Sequence, residues 1–196
     1  MRGRRTKAKL VEAAGRVFAR QGFLDTKITD ITAEAGAANG SFYTYFESKE
    51  AVFRAVIDEV NERMFAKSRV PPGAGSTPYE RIEHATRAYV RAYREEASLL
   101  MILEQVATFS PEFREMRRET RKVFRDRIER GIRRFQEGGV VGADVRPDYA
   151  ASALTSMVSN FCYMWLVFDE GWDEETAIGT LSRLWAQGLG IPVPDA

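Results

Sequence analysis

The 196-residue sequence predicts an all-α fold. Apolar residues recur at helical spacing along nearly the whole chain, and no segment sustains the alternation of a strand. The composition, 44% apolar and 29% charged, supplies enough apolar surface for a real core. There is no internal repeat.

The elements follow in order. From Thr6, the residues Leu10, Ala13, Ala14, Val17 and Phe18 keep a 3.6-residue period, and Gly22 supplies a stop. A short helix fits 28–35, with Ile28 and Ile31 inward and Asp30 and Glu34 outward. Thr26 or Lys27 opens it and Gly36 closes it. A third short helix fits 39–46. A fourth starts at Ser48, carries Val52, Phe53, Val56, Ile57 and Val60, and runs to about residue 67. The stretch VPPGAGSTP (70–78) is turn-forming throughout and reads as a loop. Pro78 starts a helix with Tyr79, Ile82, Thr86, Tyr89, Val90 and Tyr93 on one side, which leaves His84 on the surface. Residues 98–109 are apolar nearly all round, as a buried helix is. Pro111 opens a long amphipathic helix with Phe113, Met116, Val123, Phe124, Ile128 and Phe135 inward. Its basic residues from Arg114 to Arg134 are interleaved with acids, as on a solvated face. Pro147 heads a helix reaching about residue 169, and Asp173 caps a last helix through Leu189.

Several function classes drop out early. The longest apolar run, FCYMWLVF, falls short of the roughly 20 residues that span a bilayer. The basic start lacks the apolar stretch of a secretory signal, so a soluble, cytoplasmic protein is expected, with no membrane partner. A single cysteine, Cys162, excludes an internal disulfide and a thiolate zinc site, and reads as a small buried hydrophobe. With one histidine as well, no metal and no other cofactor is expected. No nucleophile–base pair presents itself, which leaves a helical enzyme as a remote alternative.

Net charge is only +1, but residues 1–20 hold seven basic side chains against one acid, Glu12. Such asymmetry fits either a nucleic-acid footprint or a solvated terminus. The stretch GAANGSFYTYFESKE favours the first, although a plain helical hairpin in a bundle fits residues 28–46 as well. On a helix turning about 100° per residue, with Phe42 at zero, Phe46 lies at about 40° and Tyr45 at about 300°. Tyr43 falls at about 100°, Gly40 at about 160° and Thr44 at about 200°, facing away. Phe42 and Phe46 therefore pin the helix, Tyr45 is marginal, and Tyr43 and Thr44 present hydroxyls outward. Gly40 leaves an outward spot without a side chain. Two short helices joined by a glycine turn and braced by a first helix form a helix-turn-helix unit, whose second helix enters the major groove of DNA.

These residues carry a resemblance. The marks are Ala14, Phe18, Ala19, Gly22 and Phe23, then ITDITAEAG, then NGSFYTYFESKE. From Leu10 to Val52 the chain resembles the DNA-binding domain of TetR-type transcriptional regulators. The resemblance implies a helix-turn-helix DNA-binding domain over 1–50 and a helical ligand-binding and dimerisation domain over 51–196. A linking helix at about 48–67 and the loop 70–78 lie between their main parts. It implies that Asn39, Gly40 and Ser41 approach base edges. Tyr43, Thr44, Tyr45 and Lys49 would hold phosphates, as would Thr26 or Lys27. Ala37 and Ala38 stand where the family commonly has valine and a capping hydroxyl residue, so Asn39 is the candidate to take over that cap.

The second half suggests a dimer and a pocket. In the helix at about 147–169 the apolar arc is about 220° wide, where one core-facing stripe needs little over 100°. With the final helix (about 174–189), carrying Ala177, Ile178, Leu181, Leu184 and Trp185, it would build an isologous four-helix homodimer interface. By resemblance, Met101, Phe109, Met116, Phe124, Phe161 and Trp165 would surround an apolar small-molecule effector, with Glu104 as a polar anchor. A packed core fits these residues equally well. The expected function is a repressor released from operator DNA by that effector; the alternative is a DNA-binding regulator of the same fold without one.

Overall fold

A computed structural model describes residues 2–69, 71, 73 and 75–194. Among them are eight α-helices and no strand: α1 (Arg2–Asp25), α2 (Ile28–Glu34), α3 (Asn39–Tyr43), α4 (Lys49–Lys67), α5 (Pro78–Phe109), α6 (Pro111–Glu137), α7 (Pro147–Phe168) and α8 (Glu174–Gly188). The all-α expectation holds, with instructive differences at the ends. The basic start is helical from Arg2, continuous with α1. Gly22 breaks α1 (φ 78, ψ 175) without ending it, and one more turn reaches Asp25. The third helix stops at Tyr43 rather than running to Phe46, although Phe46 N–H still donates to Phe42 O at 3.0 Å. Residues 78–109 form one helix of 32 residues. Asp173 caps α8 as expected, accepting from Thr176 N–H at 2.9 Å.

The chain divides into two compact units. The first joins the residues up to Glu62 with Ser98–Arg117. Its core takes Leu10, Val17 and Phe18 from α1, Ile31 from α2, Phe42 from α3 and Phe53 from α4, all fully buried. Phe18, Phe23, Phe53 and Phe113 meet with ring centroids 5.0–5.7 Å apart. Burying each such ring is worth about 2–3 kcal/mol at most. Phe113 and the Arg54–Glu112 ion pair (3.0 Å) explain why the turn between α5 and α6 belongs with the helix-turn-helix unit.

The second unit comprises Arg63–Ala97 and the residues from Arg118 onward. Tyr79, Ile82, Ile132, Val141, Ala151, Leu154, Ala186, Leu189 and Ile191 form its core cluster. Gln136 Nε2 donates to the carbonyls of Gly142 and Val145, both at 2.9 Å, which folds the loop before α7 against α6. Glu174 and Glu175, in the first turn of α8, suit the positive end of the helix dipole and pair with Arg87, Arg91 and Arg94 of α5. Val123, expected inward, is 48% exposed, because α6 buries Phe124 and Ile132 instead. His84 is exposed, as expected. Cys162 is fully buried, and burial pushes its thiol up to about 12. One face of α7 is buried through Ala151, Leu154, Val158, Cys162 and Trp165, while Met164 and Phe168 stand exposed. By length and composition alone α7 could cross a membrane.

Gly22 offers a direct test. Its backbone lies in a region reserved almost wholly for glycine, and an added Cβ would meet nothing within 4 Å. Gly22→Ala should therefore cost about 1–3 kcal/mol through backbone strain alone, read as a lower urea midpoint by circular dichroism. An unchanged midpoint would show that the kink relaxes freely.

Candidate nucleic-acid interface and effector pocket

The turn between α2 and α3 is made by Gly36, whose φ of 61 suits a residue without Cβ. Gly36 N–H donates to Ala33 O (3.1 Å) and Ala37 N–H to Thr32 O (2.9 Å), satisfying the end of α2. Ala38 then stands at the N-cap of α3 with no side-chain cap. Asn39 does not take over that cap. Its side-chain amide is tied back to the hydroxyl of buried Thr32, which bridges α2 to α3.

The rings point as their spacing predicts. Phe42 and Phe46 are buried, with centroids 5.7 Å apart. Tyr43 is 61% exposed, Thr44 is exposed, and Tyr45 is half-buried. A Cβ on Gly40 would meet nothing within 4 Å, so the outward spot there is open. Ser41 is half-buried beside it. The start of α1 runs alongside: a Cβ on Gly3 would lie 3.5 Å from the Tyr45 hydroxyl, and Lys7 Nζ lies over the Phe46 ring at 5.5 Å. Arg4, Arg5, Lys7 and Lys9 are exposed. Arg16 and Arg20 differ, being paired with Glu34 at 2.8 and 3.4 Å.

Around the start of α2 the candidates separate. Thr26 is buried and its hydroxyl donates to Gly22 O at 2.6 Å, whereas Lys27 is exposed at the N-cap. The cap is supplied by Asp30, whose carboxylate accepts from Lys27 N–H and Gln21 Nε2, both at 2.9 Å. Those two bonds hold Asp30 below the usual carboxylate range. Lys49 turns inward. Its ammonium donates to the carbonyls of Phe23 (2.7 Å), Thr26 (2.9 Å) and Leu24 (3.2 Å) and rests on the Phe23 ring at 4.6 Å. All three N–H donors are thus spent on closing the corner between α1 and α2.

The second unit contains a cavity of about 600 Å³. Ile82, Tyr89, Phe124, Ile128, Phe135 and Trp185 supply apolar wall, and Gly131 leaves a gap in α6 where a Cβ would meet nothing within 4 Å. Of the residues expected from sequence, Phe124 lines this cavity. Met101, Glu104, Phe109 and Met116 lie in the first unit, where Glu104 pairs with Arg117, Met116 is buried and Phe109 is 56% exposed. Phe161 packs on Trp172 at 4.6 Å, and Trp165 is buried beneath the Arg94 guanidinium at 5.0 Å. Arg127 corrects the reading of a solvated basic face. It is half-buried, stacked on Phe65 (4.7 Å) and Phe124 (5.3 Å), and donates to Ser68 Oγ at 2.6 Å and Phe65 O at 3.3 Å. Burial, with Arg69 and Arg130 nearby, holds its guanidinium below the usual value.

Comparison with known proteins agrees with this fold. The family described as bacterial regulatory proteins, tetR family, matches residues 10–56, and a tetracyclin repressor-like C-terminal domain matches residues 75–178. An uncharacterized HTH-type transcriptional regulator of Bacillus subtilis, YdgC, is 38% identical over 63 residues, 32% of each chain. The HTH-type transcriptional repressor KstR2 of Rhodococcus jostii is 29% identical over 142 residues, covering 67% of this chain and 66% of that protein. These matches therefore span a third and just under two thirds of the relatives' own lengths. Among solved structures, GusR of Salmonella enterica superposes with a TM-score of 0.77 over 94% of this chain and 95% of its own, at 24% identity. With a helix-turn-helix unit first and a C-terminal domain model matching more than half of the chain, the chain belongs to the TetR family of bacterial transcriptional regulators.

Proposed function

We propose that the protein is a homodimeric, cytoplasmic repressor that binds operator DNA through α3 and its flanks and is released by a small molecule held in the second unit. The observation that carries the reading is the outward set on α3: exposed Tyr43 and Thr44 beside the open spot at Gly40. Hydroxyls and lysines of this kind position a protein on phosphates, while Asn39, Gly40 and Ser41 stand at the front of the helix, nearest the bases. Lys27 and the exposed basic residues at the start of α1 add charge. Thr26 and Lys49 serve this surface by fixing the corner that carries Lys27. Repression follows the relatives that are named as repressors, and no catalytic activity is assigned. The open cavity favours the sensor over the effector-free alternative, since about 600 Å³ lies in the range of small-molecule sites.

Three outcomes test this. Operator affinity should fall with salt at about −0.9 in log–log slope per phosphate neutralised, and Lys27→Ala should make the slope shallower by about that amount. Lys49→Ala, with its donors already taken, should instead lower unfolding stability by roughly 1.5–3 kcal/mol, the worth of a charged hydrogen bond. A salt-independent affinity would remove the electrostatic argument.

The dimer test uses Leu184, which is 50% exposed, and not Leu181, which is only 1% exposed and belongs to the protomer's own core. Leu184→Glu should leave the protomer folded yet dissociate it in sedimentation, because a charge in an apolar interface costs several kcal/mol. A wild type at single protomer mass at micromolar concentration would end the dimer reading.

Gly131→Leu addresses the sensor. It should raise stability by about 0.5–1 kcal/mol through helix propensity, while filling the cavity and abolishing effector response with operator affinity retained. A variant still released by the same compound would exclude this cavity as the effector site.

A further inference from the structure

The cavity walls carry four arginines, Arg69, Arg81, Arg127 and Arg134, and among the described residues no aspartate or glutamate. Several arginines elsewhere in the same unit are paired with acids: Arg63 with Glu96, Arg87 with Glu83 and Glu175, Arg133 with Glu129, Arg146 with Asp148. Among the described residues, the four at the cavity have only uncharged partners. Arg81 Nε reaches Gly75 O (3.4 Å), Arg134 Nε reaches Arg130 O (3.2 Å), Arg69 lies on the Phe65 ring (5.5 Å), and Arg127 bonds Ser68 and Phe65 O. In a chain whose charges balance to +1, this is a local excess of positive charge around an apolar space, with Arg127 half-buried and the other three exposed at its rim.

We propose that the cavity takes an amphipathic anion, an apolar body with a carboxylate or phosphate head, and that Arg127 holds the head. The proposal rests on the sensor reading above and names its ligand class. Arg127 is stacked on Phe65 and Phe124, so its planar fork is fixed before a ligand arrives and loses little freedom on binding. Two of its nitrogens are engaged by neutral oxygens, which leaves N–H donors for an anion. A carboxylate or phosphate would form charge-assisted bonds there and offset the crowding of Arg69 and Arg127. A neutral ligand would leave that charge uncompensated, and a cation would be repelled. The remaining walls suit a hydrocarbon or ring system.

Calorimetric titration of the full chain with dodecanoate, dodecyl phosphate, 1-dodecanol and dodecyltrimethylammonium, all below micellar concentrations, tests the assignment. At least one anion should bind ten-fold or more tighter than the alcohol, with the cation weakest. The better of the two anions identifies the head as carboxylate or phosphate. Arg127→Met replaces the guanidinium over the two rings with an unbranched apolar side chain and should bring anion affinity down to that of the alcohol, while Arg127→Lys should retain part of the difference. If Arg127→Met fails to fold by circular dichroism, the pair Arg69→Gln with Arg81→Gln should reduce the same preference. Equal binding of alcohol and anions overturns the anion assignment but leaves the sensor standing. Binding by none of the four also overturns it, and the sensor reading then rests on the separate Gly131→Leu release assay.

Discussion

A helix of five residues makes too few backbone hydrogen bonds to persist in water, so α3 depends on the burial of Phe42 and Phe46. Everything outward on α3 takes its direction from those two rings. They in turn lean on α2, which α3 contacts directly, and on the start of α1, where Lys7 lies over the Phe46 ring. Lys49 then ties the end of α1 to the start of α4 by three carbonyl bonds. The outward side chains proposed to meet DNA are therefore a secondary product of the packing beneath them, and a change at Phe42 or Phe46 would displace them without altering their own chemistry.

Much of this was legible in the sequence because it is local. The sides taken by Phe42, Tyr43, Thr44 and Phe46 follow from the turn per residue, and Asp173 announces its cap by residue type. What escaped depends on neighbours distant in sequence. Lys49 reads as a surface phosphate ligand until the carbonyls of residues 23–26 are seen around its ammonium. Arg127 reads as part of a solvated stripe until Phe65 is found beneath it. Periodicity names the face of a helix but not what that face meets, so Phe124 was found in the cavity wall while Glu104 was found with Arg117. Gly131, an unexplained glycine inside an amphipathic helix, was the one local sign of the space beside it.

Charge is distributed with purpose in the two units. In the first, Glu34 engages Arg16 and Arg20, leaving the far end of α1 as the exposed basic tract. In the second, acids gather at the start of α8, while the cavity arginines meet no carboxylate among the described residues. Both patterns place unbalanced positive charge where an anion of quite different size could be met.

The two-sided character of α7 reaches beyond geometry. Met164, Phe168 and, on α8, Leu184 leave apolar surface in water whenever the protomer is alone. In the homodimer proposed above, such a surface would tie folding to abundance, because association stabilises the folded chain by mass action and dilution withdraws that support. A newly made protomer in a cell holding few copies would be exposed to proteases and to aggregation before it met its partner. The number of regulator molecules would then be governed partly by the rate at which the chains find each other, and scarcity itself would hasten their loss.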